Sequence, residues 1–285
     1  MTHLRKFVSS VPEYRRTSRG NFKHKLEDIL MLVILGRLSK CITRAEILQF
    51  GKRHLKRLQA KELFPYGLPL KATLCRVFQS IDDEKMADRM SAFADIFRKE
   101  ISASATDIIC IDGKAMRGTL YDNGRNPNIV SAYSLRSSFT LATAVCKEKS
   151  NEIKSVPRLL DKLDVSGCVV TADAMSCQKG IIDKIRGKGG DFVIELKANQ
   201  RSLRYGLEDS IKATTPTDIY KEGPYLEHGR IESRVCRIFR GEELIADREK
   251  WNGNLTVIEI LTSTEKKSDG RSTSEQRLYI SSLDS

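Results

Sequence analysis

No apolar stretch of this sequence approaches the roughly 20 residues that a membrane-crossing helix needs. The longest run, Ile29 to Leu35, is closed by Gly36 and Arg37 and reads as a buried core helix. A secretory leader is not indicated either, because Met1 to Lys6 lead into polar and basic residues with no apolar signal core, so a cytoplasmic protein is expected. Paired cysteines are missing as well. The seven cysteines, at 41, 75, 110, 146, 168, 177 and 236, stand singly without a C-x-x-C pair. That argues against a zinc site and for small buried hydrophobes in a reducing compartment, Cys110 and Cys168 lying in strongly apolar stretches. Internal repeats and low-complexity tracts are absent, and there is a single tryptophan, Trp251.

What is present is a soluble globular balance, 40% hydrophobic and 30% charged over 285 residues, enough for one large domain or two ordinary ones. The net charge of +12 is unevenly spread. Residues 1–100 hold 21 Lys/Arg against 11 Asp/Glu, so the basic excess sits almost entirely in the first third. Charge alone leaves two alternatives open, a polyanionic partner and a merely solvated basic surface.

Periodicity divides the chain near residue 101. Residues 1–100 read as helical: His24 to Lys40 around the apolar run, a helix opened by the capping-box pattern Thr43-Arg-Ala-Glu46 and continuing through Leu58, another from Leu70 to Ile81, and a fourth opened by Asp82-Asp-Glu84. Lys52, Arg53, Lys56 and Arg57 fall opposite the apolar side of the second of these, although the gap to the next helix is too long for a helix-turn-helix. From residue 101 the pattern becomes strand, strand, strand, helix, strand, helix, strand. The strands are Asp107 to Asp112, Asn128 to Leu135, Phe139 to Cys146, Cys168 to Thr171 and Phe192 to Leu196; the helices run from Glu152 to Leu163 and from Gln178 to Arg186. This is an α/β layered sheet with parallel pairs. From about Tyr220 to Ser282 the chain returns to β patterning, with Ile231 to Phe239, Leu255 to Leu261 and Arg277 to Ile280 as strands.

Asp112 and Asp173 each follow a run of β-branched or apolar residues and are expected where a central strand ends, the edge at which open α/β sheets place their ligands. Two carboxylates brought together there repel unless a divalent cation neutralises them, and Mg2+ suits a site of one or two carboxylates completed by water and phosphate. Taken alone, an aspartate after a strand is as readily a turn or cap residue.

The flanking residues say more. Ile111-Asp-Gly-Lys-Ala-Met-Arg-Gly118, Asp173-Ala-Met-Ser-Cys-Gln178 and Leu196-Lys-Ala-Asn-Gln200, followed in order by Glu227-His-Gly-Arg-Ile-Glu-Ser-Arg234 and Tyr279-Ile-Ser-Ser-Leu283, resemble motifs of the DDE transposases of the H-repeat-associated, Rhs-linked bacterial insertion sequences. The stretch from His24 through Ile81 is similar to the helical domain that precedes the catalytic domain in that group. The resemblance implies a helical domain over 1–100 and an RNase H-like catalytic domain over 101–285, with a β insertion at about 219–283. It further implies catalytic and metal-binding roles for Asp112 and Asp173, two Mg2+ or Mn2+ ions in an intact relative, and insertion-sequence ends and target DNA as partners, with a homodimer on DNA as a candidate assembly. Lys114, Arg117, Lys197, Asn199, Gln200, His228 and Arg230 become candidate DNA contacts.

One departure stands out. In relatives the third acid is a glutamate on a helix after the β insertion, within a His-Trp-x-Ile-Glu-Asn segment, and these 285 residues contain no such segment. The chain is therefore expected to be C-terminally truncated, lacking the final helix, and impaired or inactive in strand transfer. Glu232 is a substitute third acid only if its alternating β context is overridden. The alternatives are a catalytically dead DNA-binding remnant and an RNase H-fold nuclease with no role in transposition.

Overall fold

The computed structural model describes residues 2–18, 22–100, 106–116, 124, 126–146, 152–245, 251 and 255–284. They form two compact units, Met1–Phe93 and Ala94–Ser285.

The first unit is built on helices α1 (Thr2–Ser10), α2 (Leu26–Leu38), α3 (Arg44–Gln59), α4 (Lys71–Ser80) and the start of α5 (Asp83–Glu100). The apolar run becomes α2, and Ile29, Met31 and Leu32 pack with Phe7 and Val8 of α1, Ile47 and Leu58 of α3, and Leu74 and Val77 of α4. Each such side chain taken fully out of water contributes about 1.5–3 kcal/mol before entropy is counted. The capping box forms as expected: Thr43 Oγ1 accepts from the Glu46 amide at 3.2 Å, and the Glu46 carboxylate accepts from the Thr43 amide at 3.0 Å. Lys52, Arg53, Lys56 and Arg57 are exposed on α3. Helix α1 spans only nine residues, too short a pattern for its periodicity to announce it in the sequence.

Asp28 is a charged group inside this core. It is 4% exposed, and its Oδ2 accepts from the Phe64 amide at 3.0 Å, tying the loop after α3 to α2. Burial is the largest influence on this carboxyl and pushes its pKa up, opposed by the Phe64 N–H.

The second unit is a nine-stranded mixed sheet in the order β3-β2-β1-β4-β5-β9-β8-β7-β6. Its first five strands are β1 (Ile108–Ala115), β2 (Asn128–Ser134), β3 (Phe139–Cys146), β4 (Val169–Ala172) and β5 (Asp191–Leu196), with α6 (Glu152–Asp161) between β3 and β4 and α7 (Lys179–Gly187) between β4 and β5. Strands β1, β4 and β5 are mutually parallel, and β2 and β3 are antiparallel. This order and connectivity make the sheet RNase H-like. Alternate residues of the central strands, Ile109, Ile111, Val170, Phe192 and Ile194, pack with Leu159 and Leu160 of α6 and Ile181, Ile182 and Ile185 of α7. The intervening residues face the other way, where Ile108 and Asp112 are exposed and Cys110 is half-buried. The apolar context of Cys110 suggested full burial; its alternation with Ile109 and Ile111 puts it on the open face instead. A further helix, α8 (Arg201–Ala213), seats Leu207 and Ile211 in the same core.

Strand β1 is longer than its apolar run suggested. It passes through Asp112 to Ala115, because β2 keeps pairing out to Ala115 with Asn128. Only the parallel pairing with β4 stops at Ile111 with Ala172.

The remaining strands, β6 (Asp218–Glu227), β7 (Arg230–Arg240), β8 (Thr256–Lys266) and β9 (Ser272–Ser281), form two hairpins, with a short helix α9 (Gly241–Leu244) after β7. Strand β5 pairs with β9 only from Leu278 to Ser281. The six residues Ser272 to Arg277 and their partners on β8 and β7 therefore continue past the carboxyl ends of β4 and β5. At about 3.4 Å per residue this arm projects roughly 20 Å. The β6–β7 turn is His228-Gly229, with φ of 48° and 72°, the left-handed pair that a two-residue hairpin requires. It lies against the β8–β9 turn, the Lys267 amide donating to Gly229 O at 3.0 Å.

Because its folded pKa is raised, Asp28 contributes stability that is fully present below the unfolded carboxyl value and is lost as pH rises through the folded one. Asp28→Asn should therefore gain on the wild type between pH 4 and 7. Asp28→Ala should fall below Asp28→Asn by about 1–3 kcal/mol, since it leaves the Phe64 amide unsatisfied. Urea unfolding followed by far-UV circular dichroism at both pH values measures the two differences.

Candidate active site

The parallel ladder of β1, β4 and β5 ends one residue short of three acids. Ile111 pairs with Ala172 and Ala172 pairs with Ile194, so the next position on each strand path is Asp112, Asp173 and Glu195. Asp112 and Glu195 alternate with Ile111 and Ile194 and so face away from α6 and α7, whereas Asp173 opens the turn that follows β4. Neighbouring strands are about 4.8 Å apart, so Asp112 and Asp173 follow paired residues on adjacent strands, and Glu195 follows one strand further. Asp112 and Asp173 are both exposed.

Their settings differ. Among the described residues nothing pairs with the Asp112 carboxylate. Asp173 caps a single 3-10 turn, Ala174–Ser176, and its Oδ1 accepts a long bond from Ser176 Oγ at 3.3 Å. Glu195 is 8% exposed and holds Lys197 Nζ at 2.9 Å. In sequence Glu195 is one residue of the fifth strand with nothing to single it out. Only the register with Ala172 reveals it as the neighbour of Asp173, and local pattern does not encode register between strands 20 residues apart.

The other predicted residues fall in three places. Lys114, two residues beyond Asp112 on β1, is exposed on the same face; Arg117 lies outside the described residues. Lys197, Asn199 and Gln200 follow β5, but Lys197 is engaged by Glu195 and both amides point at the backbone after Asp173. Asn199 Nδ2 donates to Ala174 O at 2.6 Å, and Gln200 Nε2 donates to Cys177 O at 2.8 Å. His228 and Arg230 occupy the tip of the projecting arm, where exposed Lys266, Lys267 and Arg271 join them. Sequence alone does not bring those three cations to the tip, because they lie about 40 residues later in the chain. Their one signal is the turn Lys267-Ser-Asp-Gly270 between alternating segments.

Glu232 does not reach the acids. Tyr279, Ile258 and Ile238 continue the row from Glu195 across β9, β8 and β7, so Glu232 is four strands across from Asp173 and six residues along. Both displacements are about 20 Å. Its carboxylate is bound by Arg234 on its own strand.

Cys177, fully buried beneath the turn, has its thiol pushed up to about 12 by desolvation. All seven cysteines are free. Among the described residues no group of three or more His, Cys, Asp or Glu side chains is arranged to hold a metal ion. Two exposed, adjacent carboxylates nevertheless match the hard-oxygen donor set that Mg2+ or Mn2+ takes when water and phosphate supply the remaining positions.

A family described as the transposase DDE domain matches residues 103–271, and the family described as associated with it matches residues 5–94. The chain belongs to the DDE transposase family. It is 34% identical over 294 residues to YhhI, an H repeat-associated candidate transposase of Escherichia coli K12, covering 99% of this chain and 75% of that one. It is 33% identical over 291 residues to YncI of Escherichia coli O157:H7, a candidate transposase, covering 98% and 72% respectively. A stretch of 74 residues, 26% of this chain, is 35% identical to YbfQ of strain K12, named an inactive transposase, and covers 86% of it. Among solved structures, the piggyBac transposase synaptic complex with hairpin DNA aligns with all of this chain and 57% of its own at a TM-score of 0.40 and 11% identity. The use of divalent metal is a property of the family.

Removing Lys197 by Lys197→Met should leave the nearly buried Glu195 carboxylate unpaired and destabilise the second unit. Lys197 itself is mostly exposed, so about 1 kcal/mol or less is expected. Adding Glu195→Gln should restore most of the loss, which thermal unfolding followed by Trp251 fluorescence would record.

Proposed function

We propose that Asp112 and Asp173 form the carboxylate pair of a metal-dependent DNA-cleaving and strand-transferring centre acting on insertion-sequence ends. The observation that carries this reading is that two exposed aspartates follow Ile111 and Ala172, the last pair of the β1–β4 ladder, at the strand edge from which the basic arm projects. Bound between them, Mg2+ or Mn2+ would lower the pKa of the attacking oxygen and stabilise the leaving one. The chain's own contribution is positional. Strands β1 and β4 bring the two acids to neighbouring strand ends, and the arm supplies cations for the flanking DNA backbone.

We further propose that a protein made of these 285 residues alone is weak in catalysis and stronger in DNA binding. Within them, Glu232 is displaced from the pair and Glu195 is tied to Lys197. With neither Glu195 nor Glu232 free to join the pair, cation coordination would be incomplete, and metal-assisted phosphoryl transfer depends on that coordination.

Supercoiled-plasmid nicking and the joining of a labelled 3′ end to target DNA, each with Mg2+ and Mn2+, test this reading. Weak nicking that disappears in Asp112→Ala, with DNA retention intact, is the expected result. Nicking indifferent to both Asp112→Ala and Asp173→Ala removes the assignment. Efficient joining by the unaltered protein removes the claim of weakness.

The arm makes a separate prediction. Arg230, Lys266, Lys267 and Arg271 are exposed, with no acidic partner among the described residues. Changing Lys266 and Lys267 to alanine together should weaken binding to every duplex alike. The slope of log K against log salt should become shallower by about 0.9 for each phosphate that is no longer neutralised. An unchanged slope would show that the arm does not touch the backbone.

A further inference from the structure

Strand β4 hands Asp173 to a stretch of chain that the sheet no longer holds. The β4–β5 ladder ends at Ala172 with Ile194, and everything from Asp173 to Gln178 depends on other bonds. The turn contributes some itself: the Ser176 amide donates to Asp173 O at 3.0 Å and the Cys177 amide to Ala174 O at 3.1 Å. These fix the shape of the turn and leave its position open. The long bond from Ser176 Oγ belongs to the same turn and moves with it.

The bonds that fix its position come from the next strand end. After β5 the chain makes a matching 3-10 turn, Ala198–Gln200, and its two amide side chains reach back. Asn199 Nδ2 takes the carbonyl that opens the turn, Ala174 O, at 2.6 Å. Gln200 Nε2 takes the carbonyl that follows it, Cys177 O, at 2.8 Å. Between these two points Ala174, Ser176 and Cys177 are all buried.

We propose that Asn199 and Gln200 are positioning residues, a two-point clamp that locks the Asp173 turn to the end of β5 and so fixes where the Asp173 carboxylate stands beside Asp112. The proposal rests on the reading of Asp173 as a metal-holding group. It assigns the two amides to the protein backbone in place of the DNA backbone. Only a donor on each side chain does this, because the partner on each side is a carbonyl. Metal sites lose about 10- to 100-fold in affinity when the groups that orient their ligands are removed.

The test uses near-isosteric, uncharged variants that cannot donate, Asn199→Leu and Gln200→Met, in the full chain. Two readouts other than activity are followed. One is Mn2+ affinity by electron paramagnetic resonance without DNA. The other is iodoacetamide labelling of Cys177 located by peptide mass spectrometry, with buried Cys146 as the internal reference. The clamp predicts Mn2+ binding weakened about 10-fold or more and Cys177 labelled faster, while Cys146 stays protected. Cys146 and Cys177 exposed together would mark general unfolding and overturn the positioning role. So would faster Cys177 labelling with wild-type Mn2+ affinity. Unchanged Cys177 protection in both variants overturns the clamp whatever the metal does. If Asp173→Asn binds Mn2+ as tightly as the wild type, the metal reading itself fails, a result distinguishable from the others.

Discussion

The parallel register of β1, β4 and β5 is the constraint on which the site depends. It is fixed from the buried side. Ile109, Ile111, Val170, Phe192 and Ile194 face α6 and α7, and a slip of one residue on any strand would turn that set outward and its acids inward. The apolar cost of such a slip protects a polar arrangement on the opposite face. The packing of the helices against the other side of the sheet holds Ile111 and Ala172 in line, and Asp173, one residue past that ladder, depends in addition on the turn that follows it.

That division explains what was legible in the sequence. Strand and helix order in the second unit followed from runs such as Ile108 to Ile111 and from the four-residue spacing of Val156 and Leu160. The capping box at Thr43 was readable because it is local. Less was recoverable where a second segment decides the outcome. Asp112 looked like the last residue of a strand because the apolar run ends there, yet β2 carries β1 on to Ala115. Glu195 is an ordinary strand residue until the ladder is known. Asn199 and Gln200 read equally well as loop amides or phosphate contacts, because nothing in their sequence shows which carbonyls lie opposite. Lys266 and Lys267 meet His228 and Arg230 only through pairing across two hairpins.

Charge on the second unit is divided with the same economy of means. Asp112, Asp173 and Glu195 follow the ends of the parallel strands, and exposed cations of the arm, interspersed with Glu265 and Asp269, lie at a tip about 20 Å beyond. A DNA backbone approaching the acids alone meets repulsion of like charge. On the proposed reading the tip offers attraction that does not require the acids to be neutralised, so duplex binding and metal binding would fall on different residues of one sheet. The two depend on different variables. Binding at the tip would weaken as salt rises, because it would release condensed counterions, whereas the proposed carboxylate pair would respond to divalent cation. The link between them is the stiffness of β8 and β9, which run without interruption from the arm into the pairing with β5. On the proposed reading, a duplex held at the tip would thereby be held at a set distance from the end of β5, and that distance would turn binding into alignment.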